Sequence, residues 1–216
     1  MCRHASRPPL LLLSQVERER CAALMTVMMV LIIVSMLGLS AIEIAVMSER
    51  GSRNDRDLQL ALQAAEAALA DAAYDIDGTG TVASSRPEVF ASDSSADFRE
   101  GCGDAASGHG KGLCVPALAG TPVWLTVDFS APPARSRTVS LGEFTGRSFA
   151  AAEAGSSKGV MPAMRPRYII EAVPDGEAFT DLRRKTGYVY RVTAMGFGPR
   201  QDIQAVLQMV YRKKRD

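Results

Sequence analysis

Residues 22–76 read AALMTVMMVLIIVSMLGLSAIEIAVMSERGSRNDRDLQLALQAAEAALADAAYDI, and the fold turns on this stretch. Its first part, Ala22 to Ile42, runs for 21 residues without a charge. At the helical rise this covers roughly 30 Å, the thickness of a bilayer hydrocarbon core. A secretory signal peptide has a shorter apolar region, then small residues at a cleavage site and a turn. Here the run passes without proline into a second helical stretch. A buried helix of a soluble protein is the competing reading, and it is disfavoured because unbroken apolar runs of this length are rare outside membranes.

Helical character persists past the apolar run. Ala, Leu, Gln and Glu dominate and are good helix formers. Leu58, Leu62, Ala65, Leu69 and Ala72 recur at three- and four-residue spacing and predict one apolar stripe. Coiled-coil dimerisation would use a similar stripe, but the heptad pattern does not last three clean repeats. Asp77-Gly78-Thr79-Gly80 supplies the stop. A helix from Ala22 to Tyr74 would be roughly 80 Å long. Gly51 is its expected weak point. The stretch divides into a transmembrane segment, 22–46, and an amphipathic segment, 47–76, that packs under a head formed by 77–216.

Orientation follows from charge. Arg3, Arg7, Arg18 and Arg20 precede the span, while Arg50, Arg53 and Arg56 follow it. The positive-inside rule puts the N-terminus in the cytoplasm and the head outside the inner membrane. Over the whole chain, 25 Lys and Arg balance 24 Asp and Glu, so nothing asks for a nucleic-acid partner.

The head reads as strands after the helix. Val123 to Phe129 (VWLTVDF) alternates apolar residues. Arg167 to Val173 and Gly187 to Phe197 are rich in β-branched and aromatic residues. Ala205 to Tyr211 follows across Gly198-Pro199-Arg200-Gln201-Asp202, which predicts a hairpin. Ser130 to Met164 reads as loop. The fold class is therefore α+β, with the helix packed on an antiparallel sheet.

Cys102 and Cys114 flank a Gly-, Ser- and Ala-rich segment that cannot hold itself rigid. In an exported head, a local disulfide is the simplest reading. Closing such a loop stabilises by roughly 3 kcal/mol in the chain-entropy picture. A zinc site lacks ligands, because the only nearby histidine is His109. Asp75 to Gly80 hints at a calcium loop, but its twelfth position is Arg86 where a glutamate is needed. A helix terminator explains those residues better. No nucleophile–base set or nucleotide-binding motif is legible, so no enzyme activity, cofactor or metal is expected. The run Arg212-Lys213-Lys214-Arg215 reads as a solvated end, with docking to an acidic partner as the alternative.

Ser48-Glu49-Arg50, Asn54-Asp55-Arg56-Asp57 and Leu62-Gln63-Ala64-Ala65-Glu66-Ala67-Ala68-Leu69 together resemble the N-terminal signature of the PilX family of type IV pilus minor pilins. Head blocks resemble the family in the same order. They include Gly112-Leu113-Cys114, Pro122-Val123-Trp124, Gly142-Glu143-Phe144-Thr145-Gly146, Pro166-Arg167-Tyr168-Ile169-Ile170-Glu171 and Tyr190-Arg191-Val192-Thr193-Ala194. The resemblance implies a pilin-like fold and a leader, 1–21, that a prepilin peptidase cuts between Cys21 and Ala22. It implies N-methylation of Ala22. It also implies a role in priming pilus assembly and a place at or near the pilus tip. The implied partners are other minor pilins, the major pilin, a PilY-type tip adhesin, the prepilin peptidase and the inner membrane.

Two positions depart from the family pattern. Cys21 stands where the residue before the cut is normally Gly. Thr26 occupies the fifth mature position, where major pilins carry Glu. A type II secretion pseudopilin and an uncleaved signal-anchored periplasmic scaffold are the alternatives with the same anchor.

Overall fold

The structure is a computed structural model, and it describes residues 10–80, 82–90, 95–151, 161–175 and 187–213. The chain divides into two compact units, Met1–Arg53 and Asn54–Asp216. Helix α1, Leu10–Asp77, contributes to both. It contains Cys21 and Ala22 and begins before the expected start at Ala22.

The end of α1 is where the sequence puts it. Gly78 adopts φ 74° and donates its N–H to the Tyr74 carbonyl at 3.1 Å. This is the left-handed glycine cap of a helix C-terminus. A side chain at Gly78 would also meet Pro87, whose Cβ lies 2.6 Å from the position a Cβ would take.

The second unit carries five strands: β1 (Leu113–Cys114), β2 (Val139–Ser140), β3 (Arg167–Pro174), β4 (Tyr188–Phe197) and β5 (Gln204–Tyr211). Their order is β1-β3-β4-β5, with β2 also paired to β3. The expected long strands in 167–211 match observed strands to within a residue at either end. The expected hairpin joins β4 to β5, with Phe197 opposite Gln204 and Tyr190 opposite Tyr211.

The sheet is mixed and not purely antiparallel. β1 runs parallel to β3, with Leu113 opposite Ile170. A hairpin cannot make such a pair, and here the long connection between β1 and β3, residues 115–166, brings the chain back in the same direction. β2 is a two-residue strand inside the expected loop Ser130 to Met164.

Two other expectations are corrected. Val123 to Phe129 is not a strand. Val123–Leu125 forms a 3-10 turn, and the Thr126 hydroxyl donates to the Val123 carbonyl at 2.7 Å. Val123, Val127 and Phe129 are buried while Leu125 is exposed. Period-two alternation therefore misled: Val123 and Val127 also share a face at one helical turn.

The buried stripe of α1 is made of alanine and not leucine. Ala61, Ala64, Ala65, Ala68 and Ala72 are buried with Ile76, whereas Leu58 is exposed and Leu62 and Leu69 are half-buried. The reason lies on β4. A Cβ at Gly196 would fall 2.0 Å from the Ala61 carbonyl oxygen and 2.4 Å from the Ala65 nitrogen. Helix and strand backbones approach so closely there that only small residues fit on either side.

This contact sets the layers. On one sheet face Ala68, Ala72 and Ile76 pack against Tyr168, Ile170, Ala172, Tyr190, Val192 and Ala194. On the other, Val123, Val127 and Phe129 pack with Cys102, Cys114, Ile169 and Phe197.

Candidate functional site

Two regions bear on function: the apolar part of α1, and the set of buried polar groups at its C-terminal end. In the first, the large apolar side chains from Leu24 to Met47 are all exposed. This is the helix long and apolar enough to cross a membrane. Its hydroxyls are satisfied within the helix. Thr26 donates to the Ala23 carbonyl at 2.8 Å, Ser35 to Leu31 at 2.7 Å and Ser40 to Met36 at 3.1 Å. No hydroxyl then needs water, which is the condition for residence in hydrocarbon.

At the other end of α1, Asp71 and Asp75 lie one turn apart on the buried face. Asp75 forms a fully buried ion pair with Arg86, whose Nη2 lies 2.6 Å from Oδ2 and whose Nε lies 3.1 Å from both carboxylate oxygens. The Arg86 Nη1 donates to the carbonyls of His109 at 2.6 Å and Lys111 at 2.7 Å. The Phe144 ring stacks on the guanidinium, 3.8 Å from ring centre to carbon. The Tyr168 hydroxyl donates to Asp75 Oδ2 at 3.0 Å. The Asp75 carboxylate and the Arg86 guanidinium thus each have a counter-charge and hydrogen bonds, which offsets their desolvation.

Asp71 serves a different loop. It accepts from the Thr145 hydroxyl and from the Gly142 N–H, the latter at 2.8 Å. Nearby, Lys111 pairs with Glu143 at 2.6 Å, and Glu143 also accepts from the Ser140 N–H. Burial pushes the Asp71 carboxyl above the usual carboxylate range, against the lowering effect of its two donors. Burial, then the Asp75 charge, pushes the Tyr168 phenol well up. Burial lowers the Arg167 guanidinium. The Tyr211 phenol donates to Asp77 at 2.6 Å, and this bond lifts it to about 12.

Cys102 and Cys114 are joined in a disulfide across 12 residues. Cys102 is the one non-glycine residue with positive φ among those described, at 68°. Inside the closed loop, Asp104 caps a short 3-10 segment, Ala105–Gly110, through the Ala106 N–H. The two carbonyls that Arg86 collects belong to this loop. The disulfide therefore closes the loop, and Arg86 ties it to α1.

Residues 110–213 match the family described as type IV pilus assembly protein PilX, C-terminal, and residues 22–70 match the PilX N-terminal family. The chain belongs to the PilX family. No curated protein and no solved structure matches it. The PilX chain is thus a type IV pilus protein whose relatives are structural components of the pilus. Its interactions are with other pilus components in assembly.

Of the residues singled out from sequence, Cys102 and Cys114 are together. Cys21 and Ala22 lie in α1, and their side chains fall outside the described residues. Lys214 and Arg215 of the basic run also fall outside them, while Arg212 pairs with Asp175 at 2.6 Å. Asp75 and Arg86, the first and twelfth positions of the calcium-loop pattern, meet as an ion pair, so Arg86 supplies the positive charge itself. Among the described residues no cluster of three or more His, Cys, Asp or Glu could hold a metal. Asp71, Thr145 and Tyr168 were not found from sequence as a set. The one available signal was a pair of aspartates four apart on an otherwise alanine-lined face.

Proposed function

We infer that this chain is a minor pilin that primes type IV pilus assembly and enters the pilus at or near its tip. The observation that carries the reading is the apolar stem with Thr26, and not a carboxylate, near its start. A glutamate there would cost several kcal/mol in hydrocarbon unless a neighbouring subunit supplied a positive partner. A subunit at the end of a filament has no neighbour above it, so threonine, which bonds within its own helix, suits that place.

In this reading the head lies in the periplasm. A prepilin peptidase cleaves between Cys21 and Ala22, and Ala22 is N-methylated. Removal of 1–21 takes away 4 Arg and 2 Glu, so the formal charge falls by two from +1 to −1. The stem first rests in the inner membrane. It then passes into a bundle of other stems. Lipid and apolar helices are similarly greasy, so the transfer is close to balanced. The partners are other minor pilins, the major pilin and a PilY-type adhesin.

Deletion of the chain should remove most surface pili, and the full chain should restore them. Normal piliation and twitching in the deletion strain would overturn the function. Intact-mass measurement of membrane-extracted protein should give a chain starting at Ala22 and carrying one methyl group. A mass retaining residues 1–21 would overturn the processing step.

A further inference from the structure

Strand β5 ends the sheet, and among the described residues no strand pairs with its outer edge. The register with β4 runs unbroken over all eight residues, Gln204–Tyr211, so no bulge twists the edge away. Hydrogen-bond parity is fixed at both sides of β4. Gly198 donates to the Ile203 carbonyl at 2.8 Å, and Asp175 donates to the Gly187 carbonyl at 2.8 Å. In an antiparallel ladder the direction alternates from residue to residue. Ala205, Leu207, Met209 and Tyr211 therefore turn their N–H and C=O toward β4. Gln204, Val206, Gln208 and Val210 turn theirs outward. These four are also the exposed residues of the strand. Among the described residues no strand pairs with them.

Edges of this kind are normally blunted by charge, proline, a bulge or short length. The sequence QAVLQMVY has no charge and no proline. Val206 and Val210 are exposed at 38% and 69%, on the sheet face away from α1. An uncharged, unbulged edge of eight residues with two exposed valines is the template for strand addition.

We propose that the outer edge of β5 receives an extended segment of another pilus subunit as an added strand. That the partner is a pilus subunit rests on the minor-pilin reading. Its segment is uncharged at its centre and apolar opposite Val206 and Val210. It is acidic at the end that meets Lys213. A second copy of this chain fits less well. Antiparallel pairing of two β5 edges would set Lys213 toward the turn between β4 and β5, where Arg200 and Asp202 form an ion pair of no net charge.

The test uses the full chain in its own cells, with the photocrosslinking amino acid benzoylphenylalanine at Gln208. The expected adduct joins this chain to another pilus subunit and maps to one extended segment. Val206→Pro removes only an outward N–H and no bond to β4. It should cut the adduct more than tenfold while the thermal midpoint of the purified full chain moves by a few degrees at most. Leu207→Pro, which removes an inward N–H, should lower the midpoint sharply and serves as the folding control. No adduct, an adduct to a second copy, or one insensitive to Val206→Pro would overturn the assignment. The two readings fail separately. Normal piliation in the deletion strain removes the pilus function while a proline-sensitive adduct still establishes the edge. A bald deletion strain without such an adduct overturns the edge alone.

Discussion

Arg86 donates to four acceptors from a position that water does not reach. Methionine would keep much of its volume but leave Asp75 buried beside Tyr168 without a counter-charge. Arg86→Met should therefore cost about 3–5 kcal/mol, read from chemical denaturation. Lysine restores the charge but not the fork that spans α1 and the disulfide loop, so Arg86→Lys should recover only part of the loss. Asp71 makes the opposite case. Its carboxyl is raised above 3.8 by burial, so the folded state holds that proton more tightly than the unfolded chain does. Its contribution to stability falls as pH rises through the folded value and recovers on acidification toward 3.8. Asp71→Asn should flatten this limb of the stability–pH curve above pH 3.8 in urea titrations. An unchanged slope would show that another group sets it. In the sequence only the two aspartates four apart signal this cluster. An arginine 11 residues past its partner, beyond the end of the helix, leaves no periodic signal.

At the scale of elements, α1 and β4 meet at Gly196, against the Ala61 and Ala65 backbone. Gly196→Ala forces the two apart and should destabilise by about 3 kcal/mol, at the upper end of overpacking costs, seen as a lowered denaturation midpoint. The disulfide acts on a neighbouring loop. Replacing Cys102 and Cys114 by serine together should cost about 3 kcal/mol in the same assay, because a dozen-residue loop is released. In β5, amide exchange should alternate, with Gln204, Val206, Gln208 and Val210 fast and their odd-numbered neighbours slow. The elements were legible in proportion to their regularity. β3, β4 and β5 declared themselves through β-branched and aromatic runs. The two-residue strands β1 and β2 could not, because so short a segment carries no period. Val123 to Phe129 failed because its alternation fits a helical turn as well as a strand.

For the molecule as a whole, the apolar stem decides where the chain resides. Arginine in place of Ile33, near the middle of the run, should weaken membrane insertion by about 2.5–3.5 kcal/mol. The measurement is the fraction of full chain that stays in membranes on alkaline extraction. Retention equal to the parent would mean that another segment holds it there. The sequence by itself determined the anchor, the helix that continues past it, the glycine stop and the α+β order. Each depends on a local count: apolar length, helical periodicity, or a residue type that only one backbone conformation favours. The cysteine pair was likewise legible, from spacing and composition. Only the tertiary structure decided that alanines rather than leucines face the sheet, that β1 runs parallel, and that Asp75 meets Arg86. Those outcomes depend on how closely two backbones approach and on which buried charges come within reach, and both are set by residues far apart in the chain.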